Sequence, residues 1–204
     1  MLYKYPRTRH LPWSPGKSRD DLVMLDDLLF VGQRVIVTEK MDGENTTLYR
    51  DTLHARSLDS RDHISRHWLK NYWSGLRYAI PENMRICGEY LYAKHSIKYT
   101  DLLSYFLGFS AWIEEKCLSW VDTLSLFEKL GVMPVPTLFE GLYDRDKIEW
   151  AWKEKGGVSE GYVIRVADKF QLNEFSSVIG KYVREAHVQT NDHWMTSKIE
   201  TNDL

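Results

Sequence analysis

Apolar residues recur along this chain with two periods. Spacings of three and four predict helices, and alternation or short apolar runs predict strands. Leu22, Leu25, Leu28 and Leu29 fall on one helical face, which predicts a short helix over 21–30. The β-branched run Arg34-Val35-Ile36-Val37 predicts a buried strand. Asp42-Gly43 then signals a tight turn and 46–49 a returning strand, so this stretch reads as a hairpin. A further strand is predicted over 53–57. A longer helix over 63–80 has Ile64, Trp68, Tyr72 and Leu76 on its apolar face, and Pro81 breaks it. Strands follow over 84–92 and 102–112. Ser119 as N-cap and Gly131 just past the end delimit a helix over 119–130. Pro134 and Pro136 make 133–139 an edge strand or extended connection, and a charged helix over 145–155 stops at Gly156-Gly157. Strands over 162–166 and 177–183 flank a loop over 169–175. This mixture predicts an α+β domain rich in strand.

Composition narrows the class. The 204 residues suffice for one sizeable domain with a real core, and no internal repeat or low-complexity tract divides them. A net charge of -2 excludes a generic polyanion binder, so any basic surface must be local. Residues 1–20 supply one, an extended arm in which Lys4, Arg7, Arg9, His10, Lys17 and Arg19 stand among three prolines. It reads equally as a flap over a ligand and as an ordered surface segment packing Trp13. Residues 185–204 read as a tail. Its His187 and His193 would touch nucleic acid or metal, but a zinc site is disfavoured without a third such ligand. Cys87 and Cys117 lie far apart within predicted elements, which favours free thiols in an intracellular, cytoplasmic protein. No stretch approaches a membrane span. Eight tryptophans and twelve tyrosines serve either the core or stacking on bases.

Three residues do not fit a purely structural reading. Lys40 stands at a strand end beside a turn. Desolvation or a neighbouring cation there would expose a nucleophilic amine, and the competing reading is a solvated hairpin lysine. Glu89 interrupts a mainly apolar strand, so it is either edge-exposed or functional. Glu160 stands at the mouth of another.

Lys40-Met41-Asp42-Gly43 resembles the K-x-D-G signature of the covalent nucleotidyltransferases, the superfamily of ATP-dependent DNA and RNA ligases and mRNA capping enzymes. The resemblance continues, in the family's order, at Cys87-Gly88-Glu89-Tyr90-Leu91-Tyr92-Ala93, Phe106-Leu107-Gly108-Phe109, Ser159-Glu160-Gly161-Tyr162-Val163-Ile164-Arg165 and Gly180-Lys181-Tyr182-Val183-Arg184. The wording G-E-Y-L-Y-A-K-H-S-I and K-Y-V-R-E-A-H-V-Q-T most resembles the RNA ligases.

The resemblance implies an ATP-grasp-like ligase fold, a single nucleotidyltransferase domain over 1–204 built of two antiparallel sheets with flanking helices. It implies that Lys40 attacks the α-phosphorus of ATP and forms a covalent lysine–AMP. Lys181, with Arg184 or Arg56, would neutralise the α-phosphate. Arg56 is the choice for a nucleotide contact and Arg61 the reserve. Glu89 would hold the ribose or metal, and Phe109 would stack on the base unless it is simply a core phenylalanine. Glu39, Asp42 and Gly43 would complete the nucleotide pocket, and Glu160 would hold Mg²⁺ or Mn²⁺. Two departures from the pattern stand out. Ser110 replaces the usual aspartate after Phe109, and Arg184 replaces the second lysine usually found close to Lys181. The twenty residues after Arg184 are too few for the OB-fold domain of DNA ligases and capping enzymes. The expected substrates are RNA ends or a nicked duplex containing RNA, with an accessory protein as a further source of nucleic-acid binding. The alternatives are a DNA nick ligase, a GTP-dependent capping guanylyltransferase and an inactive nucleotide- or RNA-binding module.

Overall fold

The computed structural model describes residues 1–58, 63–154, 159–185 and 199–204. The expectations for Arg61, Gly156-Gly157, His187 and His193 lie outside them. Two sheets carry the fold. The first contains β1 (Arg9–His10), β2 (Arg34–Lys40), β9 (Thr137–Leu142), β10 (Gly161–Val166) and β12 (Ile179–Val183), in the order β1-β12-β10-β2-β9. The second runs β11 (Phe170–Gln171), β7 (Lys116–Cys117), β6 (Phe106–Ile113), β5 (Met84–Tyr90), β3 (Glu44–Leu48), β4 (Leu53–Ala55), with β8 (Met133–Pro134) also on β6. Pairing is antiparallel except for β1 on β12 and β8 on β6, so the expected two-sheet α+β architecture holds with two short parallel additions. The helices are α1 (His67–Leu76), α2 (Trp120–Leu130), α3 (Arg145–Glu154) and α4 (Phe175–Val178). Among the described residues no helix is long and apolar enough to cross a membrane.

The continuous β-branched run of β2 is covered on both faces and buries Val35, Ile36 and Val37 completely. Val35 and Val37 join Tyr162, Ile164 and Ile179 of their own sheet and Cys87, Trp112 and Cys117 of the other in one core. Helices α1 and α2 cover the far side of the second sheet through Leu69, Leu76 and Phe127. The caps of α2 match the sequence. Ser119 Oγ accepts from Asp122 N at 3.1 Å, and Gly131 adopts the left-handed conformation at φ 69° that only glycine takes without strain.

Four sequence expectations are corrected. The stretch around Lys40 is not a hairpin: β2 pairs with β10 and β9, whereas β3 pairs with β4 and β5. Met41-Asp42-Gly43 carries the chain from one sheet to the other. Gly43 makes the passage possible, because a Cβ there would stand 2.5 Å from Tyr90 O. The helix over 21–30 shrinks to one 3₁₀ turn, Leu28–Phe30. Its leucines face solvent, Leu25 at 96% exposure, because the segment's backbone is used sideways: His10 N donates to Leu22 O and Met24 N to His10 O. Met24 and Phe30 are its buried anchors. The loop over 169–175 contains β11, and the strand expected from 177 begins at Ile179 because α4 precedes it. Of the tail, residues 199–204 lie against the segment following β5. The basic arm is tied down as well. Its β1 extends the first sheet, Trp13 Nε1 donates to Tyr162 Oη at 3.0 Å, and Tyr5 packs edge-on against Phe109 and Phe175.

Candidate active site

Lys40 closes β2 at the position that pairs with Gly161 of β10. This register brings Glu160, the residue before β10, to the lysine, and Nζ forms an ion pair and hydrogen bond with its Oε2. Gly161 has φ 154°, and a Cβ on it would stand 2.0 Å from Tyr182 O, so only glycine lets the chain turn in beside Lys40. Glu160 is buried while Lys40 is half-buried, and a buried carboxylate needs such a partner.

The lysine opens into a cavity of about 1040 Å³ between the two sheets, large for a ligand pocket. Lys181 enters it from β12, Glu89 from β5 and Phe109 from β6. Burial and the neighbouring Lys40 lower the pKa of the Lys181 amine, against the pull of Asp21, whose Oδ1 lies 3.9 Å away. Burial pushes the Glu89 carboxyl up to about 8 despite Lys40, and Glu160 and Asp42 add to the rise. Phe109 is half-buried, with the ring of Tyr5 edge-on at 5.2 Å.

The remaining expected residues divide. Glu39, Gly43 and Arg56 line the cavity, Glu39 with its amide already given to Pro136 O. Asp42 turns away from it: Oδ2 accepts from Ser96 N at 2.7 Å and Ile97 N at 3.0 Å. Arg184 is not in the lining either. Its Nε donates to Ser159 O and its amide to Glu160 O, which pins the segment bearing Glu160. Ser110 lines the cavity, but its Oγ receives Trp112 Nε1.

Sequence reasoning missed three features. Tyr5 reaches the cavity from an arm read for its charges, a contact no local pattern signals. His95 lines it too, held below the ordinary histidine range by burial. Glu44, Asn45 and Arg66 are polar residues in or beside predicted elements, and that was the available signal. Arg66 Nη2 closes an ion pair with Glu44 Oε1, while Asn45 Oδ1 and Arg56 Nε are buried with no hydrogen-bond partner among the described residues. Orphaned buried polar groups of this kind, all in one lining, suit a polar ligand.

Among the described residues no group of three or more His, Cys, Asp or Glu side chains is arranged to hold a metal ion. Besides Glu39 and Glu44 of the lining, Glu89 and the neighbouring Glu160 offer carboxylates that fit a hard cation taking its other oxygens from phosphates and water, as magnesium commonly does.

Solved structures with the same fold include three of the RNA ligase of Naegleria gruberi. One with pyrophosphate matches at TM-score 0.59 and 20% identity, over 94% of this chain and 64% of that one. A variant with ATP and Mn matches at TM-score 0.58 and 18% identity, over 91% and 61%. Another variant with ATP and Mn matches at TM-score 0.54 and 18% identity, over 79% and 52%. The chain thus spans about half to two-thirds of the length of these proteins. No curated protein matches it. The family model described as RNA ligase matches residues 33–183, which contain Lys40, Glu89, Phe109, Glu160 and Lys181, and the chain belongs to the RNA ligase family.

Proposed function

We propose that this protein is an ATP-dependent RNA ligase that carries AMP on Lys40 and joins an RNA 5′-phosphate to a 3′-hydroxyl. The observation that carries the reading is Lys40 itself. It is a strand-end lysine paired with the buried Glu160, opening into a cavity shared with Lys181, Glu89 and Phe109. The Naegleria gruberi ligase, solved with ATP and Mn, supports ATP and a divalent metal as the ligands here.

In the first step Lys40 Nζ attacks the α-phosphorus. A nitrogen–phosphorus bond forms, the bond to the bridging oxygen breaks, and pyrophosphate leaves with its electron pair. Glu160 aims the amine and is placed to take its proton. Lys181 offsets the charge on the α-phosphate oxygens, and Arg56 offers a guanidinium fork to phosphate or ribose. Phe109 supplies a face for the base. Glu89, its carboxyl pushed toward the neutral form by burial, is suited to the ribose hydroxyls. Mg²⁺ or Mn²⁺ at Glu160 would neutralise triphosphate charge and orient it. The AMP then passes to the 5′-phosphate of RNA, the 3′-hydroxyl attacks that phosphate, and AMP leaves. The substrate is an RNA end or a nicked duplex containing RNA, with an accessory protein as a further source of grip.

Incubation with ATP or GTP radiolabelled in the α-phosphate, followed by a denaturing gel, tests the first step. Covalent label from ATP is expected. Label from GTP alone means a capping enzyme, and none from either means a binding module. For the substrate, nicked duplexes are compared in which only the last nucleotides on the 3′-hydroxyl side change from ribose to deoxyribose. RNA is expected to be sealed in preference through its 2′-hydroxyl, and equal sealing of both would promote the DNA-ligase reading.

A further inference from the structure

The residues at 199–204 lie against the segment that follows β5, and one of them differs in kind from the rest. Thr201 bridges Ala93, while Glu200 and Asp203 form ion pairs at the rim with Lys94 at 2.8 Å and Lys98 at 3.0 Å. Between them Asn202 is completely buried. Its Nδ2 donates to Leu91 O at 2.7 Å, its Oδ1 accepts from Tyr99 N at 2.9 Å, its amide donates to Tyr92 O at 3.0 Å, and its carbonyl accepts from Tyr105 Oη at 3.0 Å. Side-chain amide and backbone are both engaged, which leaves this residue one geometry.

The segment that Asn202 holds is the one that grips the turn after Lys40. Asp42 Oδ2 receives the amides of Ser96 and Ile97, and the Asp42 amide donates to Tyr99 Oη at 2.9 Å. Tyr99 therefore bonds Asn202 through its backbone and Asp42 through its hydroxyl. Asp42 stands two residues from Lys40 at the crossing between the sheets, and His95, within the held segment, lines the cavity. The linkage from Asn202 to the lysine's turn is continuous, buried at Asn202 and Asp42 and half-buried at Tyr99. Asn202 lies beyond the 33–183 matched by the family model, so the family motifs do not account for it.

We propose that Asn202 is a positioning residue for AMP capture: through Tyr99 and Asp42 it sets where the Lys40 amine stands relative to the α-phosphorus. The proposal rests on Lys40 being the adenylylated lysine. A reacting atom displaced by about an ångström costs up to about a hundredfold in rate, so a distant clasp can show in the chemistry without touching the nucleotide.

The test is single-turnover AMP capture by the full chain across an ATP titration, below the melting temperature of every variant. Asn202→Ala is expected to lower the rate at saturating ATP about tenfold or more, with the half-saturating ATP concentration shifted less than about twofold. Tyr99→Phe keeps the ring and the backbone bond to Asn202 and removes only the hydroxyl that receives the Asp42 amide. It is expected to show the same split, and it decides the matter if Asn202→Ala does not fold. Folded variants that capture AMP at the unaltered rate overturn the proposal, as does an effect confined to half-saturation. Failure of the unaltered chain to capture AMP overturns the reading of Lys40, and the role of Asn202 falls with it.

Discussion

The two walls of the cavity are furnished differently. On the five-stranded side stand paired charges, Lys40 with Glu160 and Lys181 with Asp21. On the seven-stranded side, apart from Arg56 just beyond β4, charge is suppressed or closed on itself. Glu89 is pushed toward its neutral form, Glu44 and Arg66 neutralise each other, and Phe109 offers an aromatic ring. The first wall suits phosphates and the chemistry at phosphorus, and the second suits a sugar and a base. If that division is right, substitutions on the first wall change the rate of AMP capture, and substitutions on the second change the ATP concentration it needs.

The largest effect is expected at Lys40. Both Lys40→Ala and Lys40→Arg should abolish covalent capture, because a guanidinium keeps the charge but is not deprotonated in proteins. A labelled arginine variant would show that another residue is the nucleophile. Next comes Glu160→Gln, which keeps the shape and removes the charge beside the amine. Capture at saturating ATP should fall about a hundredfold while the protein stays folded. Unchanged labelling across a Mg²⁺ titration would take Glu160 out of the site and leave the first wall with Lys40 and Lys181 alone.

What the sequence revealed of this arrangement follows the distance over which each feature is determined. Strands β2, β10 and β12 were legible because a β-branched or alternating run is a local signal. Glu89 and Glu160 stood out as carboxylates against apolar strands. The path between elements was not legible. Asp42-Gly43 carries an ordinary hairpin signal, yet its strands join different sheets, because β10 and β9 compete successfully for the edges of β2. The leucines of 21–30 repeat at helical spacing, but that backbone is claimed by His10 from outside the segment. Tyr5 and His95 reach the cavity, and Asn202 reaches the segment that carries His95, through contacts between residues far apart in the chain, which no window of sequence contains.

On the second wall the expected effects are smaller and of another kind. Phe109→Ala should raise the half-saturating ATP concentration about tenfold, the worth of one base–aromatic contact, and lower the saturated rate much less. Phe109→Tyr, which keeps the ring, should recover most of the loss. If Phe109→Ala instead lowers the saturated rate and leaves half-saturation alone, the division between the walls fails. The ring would then act with Tyr5 as part of the frame that holds the first wall.

The smallest expected effect tests how much cationic charge the first wall tolerates. His10 of β1 lies beside Lys181 in the sheet, almost fully buried, with Nδ1 2.8 Å from Ser14 Oγ and Nε2 3.4 Å from Asp21 Oδ2. Burial first, then Lys181, lowers its pKa to about 4, and Asp21 offsets only part of this. The unfolded chain binds this proton near pH 6.5 and the folded chain only near 4, so between those values the unfolded state holds more protons. The stability that a neutral His10 contributes is therefore complete above about pH 6.5 and is lost as pH falls toward 4. The loss is at most about 3 kcal/mol, or several degrees of melting temperature. His10→Gln removes the titration while keeping a polar side chain. Carboxylates common to both proteins cancel in the difference, so the melting curves against pH should diverge above pH 5 and converge toward pH 4. Parallel curves would mean that His10 accepts its proton within the fold. Below about pH 6.5 the first wall would then carry a third cation beside Lys40 and Lys181, and the contrast between the two walls would be sharper there than the ion pairs alone make it.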